Sequence, residues 1–309
     1  MNFIRKLVPL VAAVGISILA TAAHADVLTP FDVKDGSGGT YVAGATALDW
    51  SSKGTGVAVG VGPFSSTAVL PTFQPFQFLY QANLSSIVGG TPMQPNTLDS
   101  NPNGVKDNFT THEFTIAARM IEQVTSSGYS DPVNNVNPTA NFGLVNAFGM
   151  NKVAIFYDTA ANSNTATGTG FTDGIMIALL TIVSDGTQST FTAFSTGPTA
   201  GQGQGSAKIH AEIAEAGDFI NAAYLDGVLD LLFDMEFQSN LNYPAGDSST
   251  STMFAGGNPL FPSHSVVRSD LMLKVDGDNR FSINQVPEPG TMLLMGVGLL
   301  GLARLRRRA

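Results

Sequence analysis

Between Phe114 and Met120 an apolar residue stands at every second position, Phe114, Ile116, Ala118 and Met120. That period of two belongs to a half-buried strand. Comparable short apolar runs occupy residues 57–61, 76–84, 113–124, 153–158, 175–183, 190–195, 225–237 and 266–275, with glycine, asparagine, serine and threonine between them. Few segments keep a helical period, so the pattern reads as strands and turns. The expected fold class is mainly β, an antiparallel β-sandwich or jelly-roll-like body. Asp185-Gly186, between two runs, reads as a hairpin turn. Residues 208–224 fit helix or strand, read as strand to about Glu215 and left open beyond. Residues 134–141, 197–205 and 244–259 read as surface loops, and Gly201-Gln202-Gly203-Gln204-Gly205 also as a flexible linker between two domains.

The two ends have a different character. Arg5 and Lys6 precede an apolar run over residues 7–23, which closes on Ala23-His24-Ala25. A basic start, an apolar stretch and a small-residue cleavage site in that order make a secretory signal, so residues 1–25 are expected as a signal helix and the mature chain as starting at Asp26. At the other end Val286, Pro287, Glu288, Pro289 and Gly290 lead into an apolar stretch over 291–303, followed by Arg304, Arg306, Arg307 and Arg308. Counted from Val286, a helix at about 1.5 Å per residue reaches roughly 27 Å, near the bilayer core of about 30 Å. A C-terminal transmembrane helix is therefore expected in a tail of residues 285–309. Its arginines act as a topology stop that stays on the cytoplasmic side, which puts the body, residues 26–284, outside. Within this tail Gly296, Gly298 and Gly301 match a dinucleotide-binding glycine pattern, but they open no βαβ unit and are rejected.

The tail resembles the PEP-CTERM sorting signal of exopolysaccharide-producing Gram-negative bacteria, through Pro287-Glu288-Pro289, the apolar stretch and the terminal arginines. The resemblance implies passage through the secretion machinery, an inner-membrane anchored precursor, and recognition by an exosortase that cuts near Pro287 to Pro289. A permanent tail anchor is the competing reading. Through Ala47-Leu48-Asp49-Trp50, residues 151–158 and Gly168-Thr169-Gly170-Phe171-Thr172-Asp173-Gly174, the body resembles the flocculation-associated PEP-CTERM proteins. That resemblance implies a role in holding cells within polysaccharide, at the cell surface or in the extracellular matrix.

Charge narrows the partners. Without Arg5, Lys6 and the four tail arginines the body keeps nine basic residues against 23 acids, a net charge of −14. Such a body is a poor partner for nucleic acid or anionic lipid, which need basic residues to neutralise phosphates. Cysteine is absent, which removes thiol catalysis and thiolate metal sites.

Three constellations bear on chemistry. In Asp99-Ser100-Asn101-Pro102-Asn103-Gly104-Val105-Lys106-Asp107 the oxygen-bearing residues Asp99, Asn101, Asn103 and Asp107 fall at positions 1, 3, 5 and 9, with glycine at 6, the spacing of a calcium loop. Thr110 at position 12 and Lys106 depart from it, and a solvated turn is the competing reading. Asp226, Asp230, Asp234 and Glu236 form an acidic run. On one strand face Asp234 and Glu236 would stand about 7 Å apart, a separation paired carboxylates use on glycosidic bonds, against the plainer reading of a solvated face. Asp276, Asp278 and Asn279 around Gly277 read as a turn.

His112, His210 and His264 form no short metal-ligand pair, and no Gly-x-Ser-x-Gly elbow occurs. Trp50, Tyr41 and Tyr80 read as core residues or as sugar-stacking platforms. The function expected from the whole is that of a non-enzymatic matrix protein joining cells and extracellular polysaccharide. A secreted polysaccharide-acting enzyme and a solute-binding module are the alternatives.

Overall fold

A computed structural model describes residues 27–28, 30–62, 69, 74–92, 112–198, 200–228, 230–240 and 250–283. The expected signal helix, the transmembrane helix, the sorting motif with its arginines and the calcium loop all lie outside the described residues.

The first strands are β1 (Val27–Leu28), β2 (Phe31–Lys34), β3 (Thr40–Ala58), β4 (Pro75–Pro92) and β5 (Glu113–Asp131). They are followed by β6 (Val136–Leu144), β7 (Lys152–Asp158), β8 (Ile175–Ala193), β9 (Gln202–Glu212) and β10 (Phe219–Ile220). The last are β11 (Leu225–Asp226), β12 (Asp230–Asn240), β13 (Thr252–Met253), β14 (His264–Ser265) and β15 (Leu271–Ile283). All pairings are antiparallel, so the mainly antiparallel β expectation is met.

The long strands make one sheet that pairs all the way round. From β3 it runs to β4 and β5; β7 pairs the first part of β5 and β6 the second, and both then pair β8. Beyond β8 come β9, β12 and β15, and β15 returns to β3 with Leu273 opposite Gly56 and Asn279 opposite Leu48. Closure leaves no free edge in this ring. The expected sandwich or jelly roll thus takes the form of a single sheet closed on itself.

The period of two sorts side chains to its two faces. Phe78 and Tyr80, Ile116, Ala118 and Met120, and Leu273 and Val275 enter the main core inside the ring, together with Trp50, Phe233 and Phe281. The residues between them, Leu79, Ala117 and Met272, point the other way into a second cluster with Val57, Phe156 and Leu179. That outer cluster is covered by Met253, Phe254 and Phe261 from residues 250–266. Burying each such side chain contributes about 1.5–3 kcal/mol. Polar bonds pin the cover in place: Phe254 N donates to Gln81 Oε1 at 2.8 Å and Ala255 N to Gly168 O at 2.8 Å.

Several sequence expectations are corrected. Residues 136–141, read as loop, are in β6, where Val136 pairs with β5, and Ala140 and Phe142 pair between β5 and β8, despite the asparagines around them. Asp185-Gly186 makes no hairpin; it lies inside β8 as a bulge, where the register against β9 shifts between Val183 and Gln188 and Gly186 takes a φ of 75°. Gly203 and Gly205 are no linker but strand residues of β9, small because a Cβ on Gly203 would stand 2.3 Å from the Phe191 ring and one on Gly205 2.1 Å from Thr190 O. Residues 276–279 are not a turn but the middle of β15. The ambiguous segment is strand to Glu212, and then turns and the short β10.

Candidate functional site: an end pocket and an acidic strip

The alternation that begins at Phe114 carries on past Met120, and its next inward position is Glu122. The result is a carboxylate inside the ring, only 4% exposed. It lines a partly open cavity of about 30 Å³ at the end of the ring where β3 finishes and β4 and β15 begin. Phe76 and Phe78 of β4, Phe142 of β6, Phe191 of β8, and Leu271 and Leu273 of β15 form its walls. The Phe76 and Phe142 rings meet edge to face, 5.4 Å between centroids. Glu122 Oε1 accepts a bond from Ser189 Oγ at 2.6 Å, and no other hydrogen bond or ion pair to Glu122 occurs among the described residues. Burial disfavours the charged form and pushes the carboxyl up to about 7, the Ser189 bond offsetting only part of that cost.

On the outside of the ring, register unites two acidic runs that are some 40 residues apart in sequence. Asp234 of β12 stands opposite Asp278 of β15, and Glu236 opposite Asp276. Asp278 in turn stands opposite Asp49 of β3, and Asp234 opposite Lys208 of β9. Like charges directly across strands oppose pairing unless neighbours or ions offset them. Asp278 shows the effect: partial burial, then Asp234, Asp49 and Asp276, raise its carboxyl, while Arg280, 3.9 Å away, opposes the rise. Asp49 also accepts a bond from Ser86 Oγ at 3.0 Å.

The other members of these runs lie elsewhere. Asp226 pairs with Lys34 on the neighbouring β2, and Asp230 is buried at 6% exposure. Asp234 and Glu236 do share the exposed outer face of β12, as the strand reading expects. Among the described residues no group of three or more histidine or acidic side chains is close enough to hold a metal ion. The strip is therefore a linear field of negative charge along a sheet face, able to gather cations from solution and present them to a second surface.

Trp50, Tyr41 and Tyr80 are core residues, and none presents a face to a sugar. Trp50 is fully buried and its Nε1 donates to Asn279 Oδ1; Tyr80 is fully buried too; Tyr41 is 5% exposed and its hydroxyl meets that of Tyr157 at 2.8 Å. The histidines are scattered: His112 stacks on Tyr157, His210 Nδ1 lies 3.2 Å from Asp185 O, and His264 Nε2 lies 2.8 Å from Asp270 Oδ2. The glycine-rich run from Gly168 to Gly174 is structural. Phe171 is buried, its carbonyl accepts from Thr115 Oγ1 at 2.9 Å, and Gly168 lies against Thr252 O.

A second buried polar network holds the outer face of β7 and β8. Lys152 Nζ pairs with Glu215 Oε2 at 2.8 Å and with Asp218, whose side chain is fully buried. Asp218 also accepts from Thr181 Oγ1 at 2.6 Å and Glu215 N at 2.9 Å. Burial pushes the Asp218 carboxyl up, but the bonds from Lys152, Thr181 and the backbone outweigh it and hold it below the usual carboxylate range.

No curated protein and no solved structure matches this chain. One family model does match, over residues 285–308, and its description is the PEP-CTERM protein-sorting motif. The chain therefore ends in a PEP-CTERM sorting tail, which implies an exported protein with a membrane-anchored precursor and an exosortase as its processing partner.

Proposed function

We propose that this chain is an exported, non-enzymatic matrix protein that joins cells and extracellular polysaccharide and so promotes floc or biofilm formation. The observation that carries the reading is the acidic strip, Asp49, Asp234, Glu236, Asp276 and Asp278, on a body whose tail implies export. A body of net charge −14 repels an acidic polysaccharide unless cations stand between them. An open row of carboxylates on the outer sheet face supplies the protein side of such a bridge, and many weak bridges add up where several copies share one matrix. The body's resemblance to flocculation-associated proteins favours the same role. Asp234 and Glu236 lie exposed on that open face, an arrangement that favours contact with a long polymer over the enclosed cleft in which a glycosidic bond is cut.

The test is settling of the host cells with the gene deleted, then restored whole, truncated before Val286, or with Asp49, Asp234 and Asp278 all changed to asparagine. Only the whole gene should restore settling fully, and a calcium chelator should undo that rescue. Flocs that survive deletion, or a chelator that leaves polysaccharide binding unchanged, would end the reading.

A further inference from the structure

The cavity at Glu122 is used by nothing in the matrix role, and its composition is unusual for a core. Among the described residues its one ionisable group is a carboxylate, and no lysine, arginine or histidine lines it. Among the described residues, the elements packed against Glu122 face it with apolar or neutral side chains: Phe76 and Phe78, Phe142, Ser189 and Phe191, and Leu271. One carboxylate oxygen is bonded to Ser189 and the other has no partner among the described residues. A buried carboxylate without a counter-charge is costly, and the cost is removed by a cation that also satisfies the open oxygen. Four phenylalanine rings line the same cavity, and an aromatic face attracts a cation.

Size narrows the ligand further. A water position needs about 10–15 Å³ of such space. The cavity, at about 30 Å³, therefore accepts two such positions. That is the room taken by an ammonium group and the methylene next to it. A quaternary ammonium is too wide, and an amine carried on a branched ring carbon brings too many atoms to the same depth. We propose that this pocket binds the primary ammonium head of an unbranched alkylamine, with the ammonium on Glu122 Oε2 and the methylene against Phe76, Phe78, Phe142 and Phe191. A free alkylamine and a lysine side chain share this chemistry.

The inference is independent of the matrix role and is tested without polysaccharide. Full chain in a nonionic detergent is titrated calorimetrically at pH 8 with n-butylammonium, n-butanol, tetramethylammonium, glucosamine and Nα-acetyl-lysine amide, each against a detergent blank. n-Butylammonium should bind saturably, with n-butanol and tetramethylammonium at least tenfold weaker. Glu122→Gln should lose at least tenfold for n-butylammonium and little for n-butanol. Binding of the lysine amide as well marks a peptide lysine as a source, and its failure beside n-butylammonium marks free alkylamines; glucosamine should not bind. Equal binding of n-butanol and n-butylammonium, or no saturable binding of n-butylammonium, would overturn the proposal. If Glu122→Gln does not fold, Ser189→Ala together with the butanol comparison decides it.

Discussion

Glu122 makes the stability of this protein depend on pH in a direction opposite to that of most carboxylates. Its carboxyl moves from the ordinary 4.5 to about 7 in the folded protein because burial disfavours its charge. Between those two values the folded chain holds a proton that the unfolded chain has released. The stabilising contribution is therefore complete below pH 4.5 and is lost as pH rises through 7. At about 1.4 kcal/mol per pH unit of separation, the loss sums to about 3 kcal/mol. Glu122→Gln keeps the shape and the bond from Ser189 but cannot titrate. Other groups titrate over the same range, so the informative quantity is the difference in unfolding free energy between wild type and variant, from urea titrations of the full chain at intervals from pH 4 to pH 8. Wild type should lose about 3 kcal/mol relative to the variant across that interval, with the steepest loss between pH 5 and 7. A difference flat to within about 0.5 kcal/mol, the usual scatter of such comparisons, would refute the reasoning. It would mean that Glu122 is ionised at its ordinary pH and that water or a counter-charge reaches it.

Two further outcomes follow from packing and pairing. Gly203→Ala puts a methyl 2.3 Å from the Phe191 ring and should cost roughly 1–3 kcal/mol in urea unfolding; Phe191→Leu in the same chain should recover part of it, and strictly additive losses would show that the two do not compete for space. Asp218→Ala leaves Lys152, whose side chain is 5% exposed, without its deepest partner, and should cost roughly 3–5 kcal/mol; because the Asp218 carboxyl is held low, wild type should also lose this stabilisation as pH falls through its folded value, and a melting temperature unmoved by the substitution would show that Glu215 alone suffices.

Strong local periodicity was legible, and so was the sorting motif at the C-terminal end. The 114–120 run reads directly as a strand because its inward positions are all apolar, and β4, β7 and the first part of β8 read the same way. The first part of β3 did not, because Gly44, Ser51, Ser52 and Gly54 look like turn residues. Gly54 is a strand residue by necessity, since a Cβ there would stand 2.8 Å from Val275 O on the neighbouring strand. Asp185-Gly186 has the residues of a hairpin turn, and only the pairing of β8 with β9 shows that the chain bulges there and continues. The acidic strip depends on the register between β3, β12 and β15, a long-range property that local pattern does not carry. Glu122 is the opposite case. Extending the alternation two residues past Met120 places it inside, and the signal was hidden only because a glutamate at a core position reads as the end of the pattern.

The β15 contact with β3 bears on how the protein has to emerge from the cell. A chain exported from its N-terminus delivers β3 early and β15 last, so two pairing edges, on β3 and on β12, wait until nearly the whole body is outside. Until then the emerging sheet is an open template to which other copies can add. The sorting motif starts at residue 285, two residues after the end of the strand that ends this exposure. Arrival of the tail thus reports that the closing strand has been delivered, and a chain cut short before Leu271 lacks both the sorting tail and the means to seal its own sheet.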